Sequence, residues 1–137
     1  MKNKNILIIA YKFPPMGGIG TRRWAKFAKY LAKDGYKVYV LTINYKKIDK
    51  VNWLKDIENN ENIIIHRIKS AYPLWLLSVS NNKYIAFIQK LLNFILKKTF
   101  FYIDIAQYWY KYMIPEAKNI INKYNINNVI VTSPPTL

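Results

Sequence analysis

The segment that most constrains this chain runs from Ile6 to Ile43. It opens with an unbroken apolar run, Ile6-Leu7-Ile8-Ile9-Ala10, and continues through Phe13-Pro14-Pro15-Met16-Gly17-Gly18-Ile19-Gly20. Five apolar residues without polar alternation suit a central parallel strand covered on both faces. Tyr36 to Ile43 (Tyr-Lys-Val-Tyr-Val-Leu-Thr-Ile) is rich in β-forming residues and reads as a second strand. Between them, from Thr21 to Asp34, Trp24, Phe27, Ala28, Leu31 and Ala32 recur at helical spacing. Arg22, Arg23, Lys26, Lys29 and Lys33 take the other side. Thr21 fits an N-cap, and Gly35 fits a left-handed stop. Strand, glycine turn, helix and strand make a βαβ unit, which demands a parallel sheet.

The remainder extends that alternation. Asn62 to Ile68 and Asn128 to Thr132 read as two more strands, each with a run of Ile or Val. Residues 69–127 cross between them, beginning with an apolar stretch that Pro73 interrupts. A helix is expected over Lys83 to Phe100, and another from Pro115, at its first helical position, with Ala117, Ile120, Ile121 and Tyr124 on one face. The expected fold class is α/β, a Rossmann-like parallel sheet with flanking helices. An apolar fourth strand at the sheet edge invites aggregation. The expectation is therefore a lobe truncated after that strand, with residues 1–137 forming one incomplete domain.

Composition narrows the chemistry. With no cysteine there is neither a disulfide framework nor a thiolate metal site. The formal net charge is +15, yet only Arg22, Arg23 and Arg67 among the 22 basic residues are arginines. The joint excess of Lys, Asn, Ile and Tyr is what an AT-rich coding sequence produces. A basic balance suits anionic partners. Nucleic acid is not expected, because no module concentrates arginine and aromatics; a membrane surface or a phosphorylated ligand is. Lys83, Lys90 and Lys97 stand seven apart beside a broad apolar face, the pattern of an interfacial helix on an anionic membrane. A lobe helix with a solvated lysine stripe has the same pattern. No run reaches the length of a membrane span. A cytoplasmic location is expected, with peripheral attachment to the inner membrane face in the interfacial reading.

Gly17 to Arg23 is the leading candidate site. Glycines let backbone approach a ligand closely, and a helix N-terminus offers free N–H groups and partial positive charge to a diphosphate. Arg22 or Arg23 could add a bidentate contact. A structural turn with solvent-facing arginines is the plainer alternative. The segment is not a dinucleotide fingerprint, since Arg23 stands where G-x-G-x-x-G requires its third glycine, and no acid closely follows Thr42-Ile43-Asn44-Tyr45. No Gly-Lys-Ser/Thr occurs, which excludes a Walker loop. His66, the lone histidine, reads as a packed strand residue, and the seven acids form no general acid–base pair. Tyr102, Tyr108, Trp109, Tyr110 and Tyr112 read as core or cleft wall rather than a sugar-stacking platform.

Two separate motifs in the same order resemble the family 4 (group 1) glycosyltransferases. The first is Ile-Ile-Ala-Tyr-x-Phe-Pro-Pro-Met-Gly-Gly-Ile-Gly with Arg23-Trp24 and the helix after it. The second is Asp104, Trp109, Ile114-Pro115-x-Ala117 and then Val129-Ile130-Val131-Thr132-Ser133-Pro134-Pro135. Residues 45–100 match only loosely. The resemblance implies a retaining, metal-independent transferase of two Rossmann-like lobes (GT-B), this chain being the N-terminal, acceptor-side lobe. It implies a nucleotide-sugar donor as substrate, no cofactor and no metal. A glycan or lipid-linked acceptor would serve surface polysaccharide or glycoconjugate synthesis. Gly17, Gly18, Ile19, Gly20, Thr21 and Arg23 would face the donor diphosphate and sugar, with Thr132 and Ser133 on the same cleft rim. No catalytic residue is assigned. Such a lobe alone is expected to be inactive, its donor groups lying in the second lobe. The alternatives are a non-catalytic Rossmann-like module for a phosphorylated ligand, or a basic membrane-associated protein.

Overall fold

In the computed structural model, residues 4–71, 80, 82–99 and 107–132 are described, without the side chains of 96–99 and 107–108. The elements are β1 (Asn5–Ala10), α1 (Ile19–Lys33), β2 (Lys37–Ile43), a 3-10 turn (Leu54–Asp56), β3 (Ile63–Ile68), α2 (Lys83–Thr99), α3 (Gln107–Tyr124) and β4 (Asn128–Thr132). The four described strands form one all-parallel sheet in the order β3-β2-β1-β4. With its accompanying helices it is a Rossmann-like α/β fold.

Strand periodicity explains how both faces are covered. Successive side chains alternate sides. On one face Ile6, Ile8 and Ala10 join Val38, Val40 and the α1 alanines. On the other, Leu7, Ile9 and Tyr11 join Tyr39, Leu41, Ile43 and Ala117 and Ile120 of α3. Buried strands with apolar residues on both faces read as continuous runs, which is why β1 was so plain in the sequence. β4 forms an edge: Ile130 packs inward on the α1 side, while Val131 is 65% exposed.

The face α1 buries overlaps the expected one at Ala28 and Ala32, with Trp24 and Leu31 at its border, but excludes Phe27. It is built from Thr21, Ala25, Ala28 and Ala32, whereas Phe27 is exposed and Trp24 and Leu31 are only half-buried. Small side chains let the helix axis approach the sheet, and the large ones flank the contact. Trp24 and Phe27 meet edge-to-face at 5.7 Å on that flank. The C-terminal end is as expected. Gly35 takes φ 83, its N–H donates to the Ala32 carbonyl, and the Tyr36 N–H donates to that of Leu31. That is a Schellman motif, which satisfies two carbonyls the helix would leave free.

α3 begins eight residues before Pro115, which lies inside the helix rather than at its start. A proline there removes one N–H from the ladder, but Pro115 is on the exposed side. The turns before it are held by Trp109, buried and edge-on to Tyr11 at 5.6 Å. After it, Ala117, Ile120, Ile121 and Tyr124 pack on the sheet as expected, with Tyr124 stacked on Tyr39 at 4.2 Å. Tyr110 and Tyr112 are exposed. Tyr102 and Asp104 lie outside the described residues, as does the side chain of Tyr108.

Candidate functional site

Strand order reverses between β1 and β4, and open parallel sheets bind ligands beyond the carboxyl ends of their strands at such a point. Ala10, the last residue of β1, is in register with Thr132, the last of β4. The two motifs singled out in the sequence therefore leave adjacent strands at the same end of the sheet. Ser133 lies outside the described residues. On the β1 side the chain passes through buried Phe13, Pro14, Pro15 and Met16 before reaching α1.

Thr21 is not the N-cap of α1. The helix starts at Ile19 and its N-cap is Gly18, which has no side chain to bond the first turn. Thr21 instead is buried in that turn, and its hydroxyl donates to the Gly17 carbonyl at 3.1 Å. The first ladder bond runs from the Arg22 N–H to the Gly18 carbonyl at 3.1 Å. The N–H groups of Ile19, Gly20 and Thr21 thus lie ahead of the ladder, where an α-helix leaves donors without acceptors. No acidic side chain occupies the turn. The Asp49 carboxylate stands just ahead of it, on the Gly17 N–H, while the N–H groups of Ile19, Gly20 and Thr21 remain as donors.

The three glycines have three different roles. A Cβ at Gly17 would sit 2.5 Å from the Val51 carbonyl oxygen and 3.3 Å from Asp49 Cβ, so Gly17 is demanded by the close approach of residues 49–51. Its N–H donates to Asp49 Oδ2 at 2.7 Å and is therefore not free for a ligand. Gly18 holds φ 106, a region side chains rarely adopt. Gly20 has neither constraint: a Cβ there meets no protein atom within 4 Å.

Asp49, which sequence reasoning missed, organises this loop. Besides the Gly17 amide it accepts the Tyr45 hydroxyl at Oδ1, 3.0 Å away, and its own N–H donates to the Pro15 carbonyl at 3.3 Å. Burial, then the bond to the Asp49 carboxylate, pushes the Tyr45 phenol up to about 12.

Arg67 was also missed as a site residue. It follows Ile63 and Ile65 on the α1 side of the sheet, paired with Thr42. Its Nη2 donates to the Pro14 carbonyl at 2.6 Å, tying β3 to the loop. Nη1 is buried without a hydrogen-bond partner, and burial holds the guanidinium below its ordinary value. A charged residue interrupting Ile63-Ile64-Ile65-His66-Arg67-Ile68 was itself the available signal, since arginine is seldom buried without a partner.

Of the other arginines, Arg22 lies over the Trp53 ring at 4.7 Å, and Arg23 is exposed. His66 is half-buried beside Tyr39 and Tyr124, as a packed strand residue. Among the described residues no three His, Asp or Glu side chains cluster as a metal site. No described helix is long and apolar enough to cross a membrane. An open depression lined by Ile57, Asn59, Asn60, Glu61 and Ile63 lies before β3, at the opposite end of the strand from the glycine loop. It carries no grouping with evident chemistry. No family model matches the chain, and no curated protein or solved structure matches it.

Proposed function

We propose that this chain is the acceptor-side, Rossmann-like lobe of a retaining, metal-independent glycosyltransferase of the GT-B type. A nucleotide-sugar diphosphate would meet the start of α1. The observation carrying the reading is the first turn of α1, which has no side-chain cap and no acidic residue of its own and is set beside the end of β4 where strand order reverses. Ile19, Gly20 and Thr21 supply backbone donors. Gly18 leaves the helix end bare, and exposed Arg23 stands one turn behind. Arg67 supports the loop from below through Pro14. Gly17 serves the fold, through Asp49, rather than the ligand.

The resemblance in two motifs gives this anion a chemical identity, and the loop geometry supports it. The test is calorimetric titration of nucleotide sugars into the parent and into Gly20→Val. A Cβ at position 20 points into open space, so the valine is expected to leave the fold intact while it fills the approach to the backbone. Binding to the parent and at least tenfold weaker binding to the variant are expected. Equal affinity in both refutes the site.

A further inference from the structure

α2 is oriented inside out for a helix on a water-soluble surface. Its buried residue is Gln89, and Ala86, Leu92 and Asn93 are half-buried. On the other side Tyr84 is 82%, Phe87 68% and Phe94 63% exposed, with Leu91 exposed beside them. At 3.6 residues per turn these four fall within a sector of about 80°. Seven of the sixteen exposed large hydrophobic side chains among the described residues sit on this helix. Scattered exposed apolar residues are ordinary, but a contiguous patch marks an interaction surface.

Charge decides what covers it. Lys83 and Lys90 are exposed and border the apolar sector on one side. Lys97 occupies the next position of the same row, although its side chain is not among those described. The helix contains no acidic residue. Protein interfaces are depleted in lysine relative to the rest of the surface. An aromatic and aliphatic sector edged only by lysine instead complements a bilayer of negative surface charge.

We propose that α2 lies in the plane of an anionic lipid surface. Tyr84, Phe87, Leu91 and Phe94 enter the boundary between headgroups and acyl chains, and Lys83 and Lys90 meet headgroup phosphates. This docking is independent of the glycosyl-transfer reading. It fits that reading because a lipid-linked acceptor would be presented at such a surface.

The experiment is co-sedimentation of the full chain with vesicles of phosphatidylcholine alone and of phosphatidylcholine with phosphatidylglycerol. Two double variants accompany it, Lys83→Glu with Lys90→Glu and Phe87→Gln with Phe94→Gln; all four positions are exposed, so folding is spared. Binding should require the anionic lipid and fall with salt. The lysine variant should lose at least about 25-fold in partitioning, about fivefold for each lysine near the surface. The phenylalanine variant should bind more weakly yet keep its salt dependence. Nucleotide-sugar binding should be unchanged in both, which separates failure of this proposal from failure of the site. Absence of binding to anionic vesicles, or parent-like binding by both variants, overturns the proposal. So does self-association of the parent in lipid-free buffer that Phe87→Gln with Phe94→Gln abolishes, since a protein would then cover the face.

Discussion

Replacing Gly17 and Gly20 with alanine separates a glycine the fold needs from one it does not, within a single loop. At Gly17 the added Cβ would lie 2.5 Å from the Val51 carbonyl oxygen. Ordinary contact requires residues 49–51 to retreat by roughly 1 Å, and a strained repacking of that kind costs about 1–3 kcal/mol. The retreat also stretches the 2.7 Å bond from the Gly17 N–H to Asp49 Oδ2. A hydrogen bond to a charged group contributes about 1.5–3 kcal/mol. Together these predict a loss of about 3–5 kcal/mol for Gly17→Ala. Gly20→Ala adds no contact within 4 Å and has no positive φ. It should be neutral or stabilising by up to about 1 kcal/mol, because alanine restricts the unfolded chain and favours helix. Urea unfolding followed by circular dichroism reads both, with unchanged slopes required for the comparison. A Gly17→Ala midpoint equal to that of the parent would refute the claim that residues 49–51 dictate this glycine. Gly18→Val is a poorer probe of ligand approach, since φ 106 strains any side chain there.

Other consequences follow from Tyr45 and Arg67. The folded phenol of Tyr45 lies at about 12, above its ordinary value of 10.0. Its contribution is therefore complete below pH 10 and is lost as pH rises toward 12. The loss approaches about 3 kcal/mol, and Tyr45→Phe should abolish this alkaline step in a stability–pH profile. Arg67→Met removes a half-buried cation whose Nη1 has no partner. Stability should change by less than about 1 kcal/mol, because relief of charge burial offsets the lost bond to Pro14. Affinity for nucleotide sugar should nevertheless fall at least tenfold; unchanged affinity in a folded variant would remove Arg67 from the site.

The sheet was legible because its chemistry is local. β1 through β3 and β4 announce themselves as apolar runs, and Gly35 marks the end of α1 within one residue. Of the expected face of α1, Ala28 and Ala32 are buried and Trp24 and Leu31 pack against the core, but Phe27 is exposed and Ala25 was left out. Close helix–sheet contact selects the smaller set Thr21, Ala25, Ala28 and Ala32 instead. Pro115 was misplaced because the start of α3 is held by a tertiary contact, Trp109 against Tyr11, which no local spacing reveals. At the site, the glycine loop was visible, but its division of labour was not. Asp49 reaches Gly17 across 32 residues and Arg67 reaches Pro14 across 53. Only the pairing of β1, β2 and β3 brings those groups together.

The central claim, that the first turn of α1 receives the diphosphate of a nucleotide sugar, is tested most directly by amide resonances. Titrating a nucleoside diphosphate into isotope-labelled protein should give saturable shifts centred on the N–H groups of Ile19, Gly20 and Thr21, with smaller changes at Arg23 and Thr132. Gly20→Val should remove those shifts while leaving the spectrum of β1 and β2 intact. Shifts confined to other regions, or none at saturating ligand, would contradict the account.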